Sequence, residues 1–525
     1  MARVLVTEKI AQSGLDLLSE AGHEVDVREG LSAEELLDVI PGAHGLIIRS
    51  ATKVTADVLR AGADLVVVGR AGVGIDNVDV EAATAQGVMV VNAPESNILS
   101  AAEQAMALLL AQARNIPQAH AALKAGKWER SKWEGVELYG KTLGVIGLGK
   151  VGALVAQRAL AFGMHLLAYD PYVSVERARH MGVELCTLDR LVAESDFLTI
   201  HLPKNAETIG LVGRDLLAKA KPGIRVINTA RGGIIDEAAL AEAVRDGIVA
   251  GAGLDVFEKE PTIESPLFEL PSVVVSPHLG ASTAEAQDKA GVTIAEQVLL
   301  ALAGDFVPYA VNVAATDVSE TVRPFMPLAE QLGRFFGCLH DGLPDHLEIE
   351  YQGNLSGAGT GILTLSALKG LFATTTEEPV SYVNAPQLAA QRGLEVRETS
   401  TSTSHDYVNL ITLRSGTHAV AGTLTGAGVR PEPRVVMVDD HVVEVPPSPH
   451  MLVVRNDDRP GMIGVVGVAL GEAEVSISSM AVGPSREADT ALMVLSTDGP
   501  APDDVLARLR EHSGILDLHR VTLAP

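Results

Sequence analysis

Three residues carry groups suited to moving a proton and gripping an acid: Arg231 in NTARGG, Glu260 in LDVFEKEP and His278 in SPHLG. Histidine titrates closest to neutrality, so it is the side chain to take a hydroxyl proton while a hydride leaves the same carbon. A carboxylate on its other ring nitrogen fixes the tautomer and favours the imidazolium; Glu260, held by the proline after it, is the candidate partner. Arg231 offers a planar guanidinium that can grip a carboxylate through two parallel hydrogen bonds and polarise a neighbouring carbonyl. Singly these signals are weak. A lone histidine after a strand is ordinarily structural, and an arginine before two glycines ordinarily helps cap a helix. All three, however, stand just beyond β-rich runs, and a sheet that gathers those ends on one edge makes a site of them.

The stretch that would organise such a sheet is LGVIGLGKVGALVAQRALAFGMHLLAYD, residues 143–170. Gly147, Gly149 and Gly152 keep the G-x-G-x-x-G spacing after a strand and before a helix. The first allows a tight turn, the second a close approach of backbone to a pyrophosphate, and the third close helix–strand packing. The helix N-terminus then points unpaired N–H groups at phosphate oxygens. Eighteen residues past Gly152, Asp170 ends the next strand, where its carboxylate accepts hydrogen bonds from an adenosine ribose and repels a 2′-phosphate. The pattern predicts NAD rather than NADP.

Further out, residues 3–91 alternate short β-rich runs with helical-period segments, which predicts a parallel sheet covered on both faces. Two of its strand ends carry polar groups: Arg49-Ser50 after GLII, and Arg70 to Gly74 after LVVV. A long apolar helix from about Ser96 precedes WERSKWEG, where Trp128, Arg130, Lys132 and Trp133 lie close together, either as a solvated loop with packing aromatics or as part of a site. The second αβ unit follows, and GDFVPYAVN could carry the chain back onto the first. Beyond about Ala314 polar tracts mark a separate unit with scattered basic groups such as Lys369 and Arg392, which read as solvated surface. The proline cluster 446–449 introduces a final βαββαβ block of ferredoxin type.

The expected fold class is therefore α/β: two doubly wound Rossmann-like domains, then an α+β domain and a ferredoxin-like domain. The expected boundaries are 1–97 plus 286–313, 98–285, 314–448 and 449–525. Lysine plus arginine number 41 against 67 aspartate plus glutamate, a formal charge of −26, which argues against a nucleic-acid partner. An anionic substrate would need its own basic pocket. Only Cys186 and Cys338 occur, far apart, so neither a disulfide framework nor a metal site is expected. The N-terminus lacks the apolar core of a signal peptide and no run is long enough to span a bilayer, which points to a cytoplasmic protein without a membrane partner.

In order and spacing, GLGKVG, Asp170, NTARGG, LDVFEKEP and PHLGAST resemble the D-2-hydroxyacid dehydrogenase family. GRAGVGIDNVD and the two extra C-terminal domains resemble its long, phosphoglycerate-oxidising form. That resemblance implies NAD-dependent oxidation of 3-phosphoglycerate to 3-phosphohydroxypyruvate by a homo-oligomer, a dimer or tetramer. It makes His278 the acid/base, Glu260 its partner and Arg231 the substrate-orienting cation. It puts Lys150 and Val151 on the pyrophosphate, Asp170 on the ribose, and Thr229, Ala230, Arg231, Asp255, His278 and Gly280 near the cofactor. Arg49, Ser50, Val73 and Gly74 would hold substrate acid groups, with Arg130 reaching in from a neighbouring subunit. The third domain then resembles an allosteric substrate-binding domain and the last an ACT domain binding L-serine between subunits, through Asn456, Asp458 and the position of Ser476. Serine-inhibited relatives carry asparagine at that last position, so the shorter Ser476 predicts reduced serine sensitivity. A reductase of glyoxylate or hydroxypyruvate, and an NAD-binding sensor without catalysis, are the competing readings.

Overall fold

The computed structural model describes residues 1–523 except 315–317, 341, 358, 378–379, 405, 427–430, 440 and 485–489. Its first sheet has five parallel strands in the order Glu24–Val27, Arg3–Val6, Gly45–Ile48, Val67–Arg70, Met89–Asn92. Strand Gly45–Ile48 is buried along its whole length because helices cover both faces. The second sheet has seven parallel strands, ordered Val273–Val275, Val249–Leu254, Ile224–Asn228, Phe197–Ile200, Thr142–Ile146, His165–Tyr169, Glu184–Leu185. Strand order reverses between Thr142–Ile146 and Phe197–Ile200, which opens a crevice at their carboxyl ends, the usual seat of a ligand in such sheets.

Two helices exchange the units. Ile98–Arg114 leaves the first sheet and packs on the second, while Ala284–Leu302 returns to pack on the first. They start side by side, Ser100 Oγ and Thr283 Oγ1 being 2.7 Å apart, and Thr283 also accepts from Ala286 N–H as the N-cap of its helix. Asn115, in left-handed conformation with φ 50°, ends the first of them. The segment 309–312 does come back to the first sheet. Asn312 accepts from Val90 N–H and donates to Val88 O and Thr84 Oγ1, and Val311 N–H donates to Val90 O.

Helices Met326–Leu339 and Gly361–Thr375 pack on a mixed sheet of six strands from His346 to Val445, in which only His346–Gly353 and Glu395–Thr401 run parallel. The last unit is an antiparallel sheet ordered Ile477–Pro484, Thr490–Thr497, His450–Asp457, Ile515–Thr522, with helices Met462–Glu472 and Asp503–Arg510 on one face. This is the ferredoxin-like order that its βαββαβ sequence predicts.

The third unit is less separate than its sequence texture implies. A single buried apolar cluster runs from Val6, Ile294 and Val91 through Phe335, Tyr351 and Phe372 to Val453, Val494 and Val521, joining the first, third and fourth sheets. The nucleotide unit keeps two apolar clusters of its own. Ser381 Oγ donates to Gly87 O at 2.8 Å, adding a polar seam between the first and third units. Lys369 is tied to Glu330 at 2.9 Å and lies over the Tyr382 ring, and Arg392 donates to Thr375 O and Thr376 Oγ1. Their charges serve local packing instead of forming an open anion site.

Candidate active site

The glycine turn has the shape that its spacing demands. Gly147 adopts φ +93°, where a side chain is strained, and a Cβ on Gly152 would collide with Gly147 O, so the helix meets the strand at backbone distance. A Cβ on Gly149 would meet nothing within 4 Å; beside it the first N–H groups of helix Lys150–Ala161 receive no side-chain cap. That open cradle suits a pyrophosphate. Asp170 is pre-aimed, accepting from Leu148 N–H at 2.7 Å and Tyr172 N–H at 2.9 Å, with lone pairs left for ribose hydroxyls. Thr229 Oγ1 is buried without a hydrogen-bond partner, a polar atom that a bound group in the crevice would satisfy. Together these residues fit NAD. Lys150 reaches across to Glu95 of the first unit at 2.5 Å, so the helix start is bridged to the opposite wall.

His278 and Glu260 form the pair expected of them, with Nδ1 of the imidazole 2.6 Å from Glu260 Oε2. Glu260 Oε1 also accepts from Phe257 N–H at 2.8 Å. Burial pushes the Glu260 carboxyl up, but the His278 and Phe257 hydrogen bonds and the charges of His278 and Arg231 more than offset it, holding the group below the ordinary glutamate value. His278 itself sits at φ +56°, an uncommon conformation for a residue with a side chain. Asp255 holds it there. Fully buried, this carboxylate accepts from Leu279 N–H and Gly280 N–H, both at 2.8 Å, from Ser276 Oγ and from Gln104 Nε2. Its acceptors are turned onto the His278 turn, with Gly280 packed against it.

The first and second units face each other across a cleft of about 1200 Å³. Arg49, Ser50, Lys53 and Arg70 line one wall and Glu260 and His278 the other. Arg231 bridges the two: its Nη1 donates to Ala230 O, its Nε lies 3.8 Å from Asp76 Oδ2, and its Nη2 is 2.7 Å from where a Cβ on Gly74 would stand. Val73 is fixed in the same loop by Asn92 Nδ2, which donates to Val73 O at 2.7 Å. Arg49 Nη1 donates to Lys9 O. Although the chain carries a formal charge of −26, this cleft gathers Lys9, Arg49, Lys53 and Arg70 against Asp76, Asp79 and Glu260, so cations outnumber carboxylates there.

Arg70 opens the polar strand end 70–74, yet the expected substrate contacts fall on Val73 and Gly74 and give it no role; the structure places its side chain in the cleft. Burial, then the like charges of Arg231 and Arg49, push its guanidinium below the ordinary arginine value, with Asp76 and Glu8 opposing them. Its Nε is buried without a partner. A buried guanidinium with two like charges acting on it and an unpartnered Nε beside a cleft is a place where an anion would be welcome. Its strand, Val67–Arg70, neighbours that of Arg49, so both arginines leave the sheet on the same carboxyl edge.

Two sets of expected residues do not join the site within one chain. Arg130 lies exposed on the 3-10 turn Arg130–Trp133, near the exposed Trp128, and is not among the residues lining the cleft. In the last sheet, Asn456 pairs with Ala491, which pairs with Pro484, whereas Ile477, next to Ser476, is level with Thr497 and His450. Ser476 therefore lies about 20 Å along the strands from Asn456, at roughly 3.3 Å per residue. Asn456 is buried with Oδ1 unpartnered, while Asp458 and Ser476 are exposed. These three residues can share a ligand only across two copies of the chain.

A dinucleotide crevice facing a cationic cleft, with a histidine–carboxylate pair between them, defines an NAD-dependent dehydrogenase of 2-hydroxy acids. Residues 106–280 match the family described as D-isomer specific 2-hydroxyacid dehydrogenase, NAD binding domain; residues 321–439 match the D-3-phosphoglycerate dehydrogenase intervening domain and 450–514 the ACT domain. The chain is 48% identical over 509 residues to D-3-phosphoglycerate dehydrogenase of Mycobacterium tuberculosis, covering 96% of each, and 45% identical over 530 residues to that of Synechocystis, covering 100% of this chain and 95% of the relative. Among solved structures, the TT0316 protein from Thermus thermophilus superposes with a TM-score of 0.55 at 36% identity, over 59% of this chain and 99% of the other. The chain belongs to the D-3-phosphoglycerate dehydrogenase family.

Asp170 makes the cofactor preference testable. Asp170→Ala should weaken NAD binding roughly tenfold or more while improving NADP binding, since it removes both the ribose acceptor and the repulsion of a 2′-phosphate. Dissociation constants for the two cofactors, measured by fluorescence titration, check this; unchanged preference would contradict the assignment.

Proposed function

We propose that the protein oxidises 3-phospho-D-glycerate to 3-phosphohydroxypyruvate with NAD, the first step of the phosphorylated route to L-serine. One observation carries the reading: the Glu260–His278 pair and the guanidiniums of Arg49 and Arg70 line a single cleft between two units, and Arg231 stands at its edge, 3.8 Å from the lining residue Asp76. The substrate has two acidic ends, and the cleft has basic groups enough for both. Arg231, whose charge acts on both Glu260 and Arg70, takes the carboxylate and polarises the C2 oxygen, while Arg49, Ser50 and Arg70 meet the phosphate with the loop at Val73 and Gly74.

Bound NAD supplies the hydride acceptor. The protein's part is to hold C2 in place and to remove the hydroxyl proton. His278 uses Nε2 for that task, because Nδ1 is committed to Glu260. The ionised carboxylate of Glu260 then stabilises the imidazolium that forms. In the reverse direction the same imidazolium returns the proton to the carbonyl oxygen. A homo-oligomer completes the picture: Ile116, Leu123, Trp128 and Tyr139 each leave a large apolar side chain exposed on the nucleotide unit, and a second copy covering this region would bring Arg130 to a neighbouring cleft.

Two measurements test the reading. With NAD, 3-phosphoglycerate should be oxidised with a kcat/KM at least about 100-fold above that for D-glycerate, the effect expected when a charged group loses its partners; a preference for glycerate would sink the substrate assignment in favour of a reductase of unphosphorylated acids. Replacing His278 by Ala should lower kcat by roughly 100-fold or more with NAD affinity intact, as loss of a general base requires; unchanged turnover would remove the proton-transfer role.

The effector reading gives a third test. Serine between ACT domains would lose the reach and paired donor and acceptor of an asparagine amide at Ser476. Inhibition by serine is therefore expected to be weak, and Ser476→Asn should lower the half-inhibitory serine concentration roughly tenfold, the worth of one net hydrogen bond. Tight stoichiometric serine binding by the unmodified protein would contradict it.

A further inference from the structure

Arg49 and Ser50 sit on the loop that follows strand Gly45–Ile48. A loop at a strand end has few bonds of its own, yet the backbone of Arg49–Thr52 is held on both sides. Glu8, just past strand Arg3–Val6, gathers three of its N–H groups: Oε1 accepts from Arg49 at 2.8 Å and Thr52 at 2.9 Å, and Oε2 from Ala51 at 3.1 Å. From the other side Asn77 Nδ2 donates to the carbonyls of Arg49 at 2.7 Å and Thr52 at 2.5 Å. One carboxylate thus takes the loop's donors and one amide its acceptors.

A carboxylate is electrostatically out of place beside Arg49, Arg70 and an incoming anion. Its negative charge, acting alone, would weaken anion binding. Glu8 does not line the cleft, however, although Lys9 next to it does. Its lone pairs are occupied by the loop behind which it stands.

We propose that Glu8 is a positioning residue for the anionic end of the substrate: it fixes the backbone of Arg49–Thr52 so that the Arg49 guanidinium and the Ser50 hydroxyl face the cleft, and it does so without touching the substrate. The proposal rests on reading the cleft as the site of a phosphorylated 2-hydroxy acid. Burial pushes the Glu8 carboxyl up, but the loop's N–H donors more than offset this and hold it below the ordinary glutamate value, so it remains an ionised acceptor near neutrality.

Charge and position predict opposite outcomes for Glu8→Gln. If only the charge mattered, its removal would leave the cleft more positive and lower KM. If the clamp matters, the amide loses acceptor capacity, the loop loosens and KM for 3-phosphoglycerate rises roughly tenfold or more, with kcat within about threefold and NAD affinity unchanged. Amide hydrogen exchange of residues 49–52, followed by mass spectrometry on the full chain, should accelerate in the same variant. Glu8→Asp, which keeps the charge but shortens the reach, should give an intermediate rise in KM and carries the test if Glu8→Gln folds poorly. A KM that is unchanged or lower overturns the proposal, as does a loss of kcat and NAD affinity together, which would mark a general structural defect. If the unmodified protein does not oxidise 3-phosphoglycerate, the substrate reading falls by itself, and exchange at residues 49–52 decides on the clamp: unaltered exchange in Glu8→Gln refutes it.

Discussion

The geometry of the site depends on a buried charge. Asp255 lies wholly inside the protein, and a carboxylate there is tolerated only when donors replace the water that it has lost. Two backbone N–H groups, a serine hydroxyl and a glutamine amide do so. Satisfying that carboxylate holds the turn at residues 278–280 in a conformation in which His278 is left-handed and faces the cleft. Gln104, one of its donors, comes from the helix that crosses between the two units, so the histidine's aim and the placement of that helix are set by the same anion. Strain at His278 is sustained because the surroundings leave the turn no alternative.

Where a functional element consisted of a short run with its own local geometry, the sequence revealed it. The glycine turn is such a run, since Gly147, Gly152 and Asp170 act within one strand–helix–strand unit and their spacing is a direct record of its shape. Arg231, Glu260 and His278 were legible for another reason: a parallel sheet sends every strand end to the same edge, so residues far apart in sequence share a wall once topology is known. Arg70 was harder to find because its use depends on two other arginines brought near by folding. Glu8 was invisible, as nothing in VTEKIAQ tells which N–H groups its carboxylate will collect. The reach of one domain's core into another was also beyond pattern reading: apolar periodicity says that a face is buried, but not against what.

That shared core changes how the C-terminal half relates to catalysis. The apolar cluster linking the first, third and fourth sheets gives the units beyond residue 314 a shared core with the first unit, whereas the nucleotide unit has apolar clusters of its own. The third and fourth units are thus packed with the substrate wall of the cleft and not with the nucleotide wall. The two connecting helices meet where they begin, at Ser100 and Thr283, so the boundary between the two units runs through that contact.

The contrast between a strongly acidic body and a cationic cleft has a kinetic consequence. At distances beyond a Debye length, about 8 Å at physiological salt, a trianionic metabolite meets the field of the whole molecule and is repelled; only near the mouth do the guanidiniums take over. Added salt first screens the far field and hastens arrival, then weakens the pairing inside. The acidic exterior and the arginines of the cleft thus act on an anion at different ranges and with opposite sign.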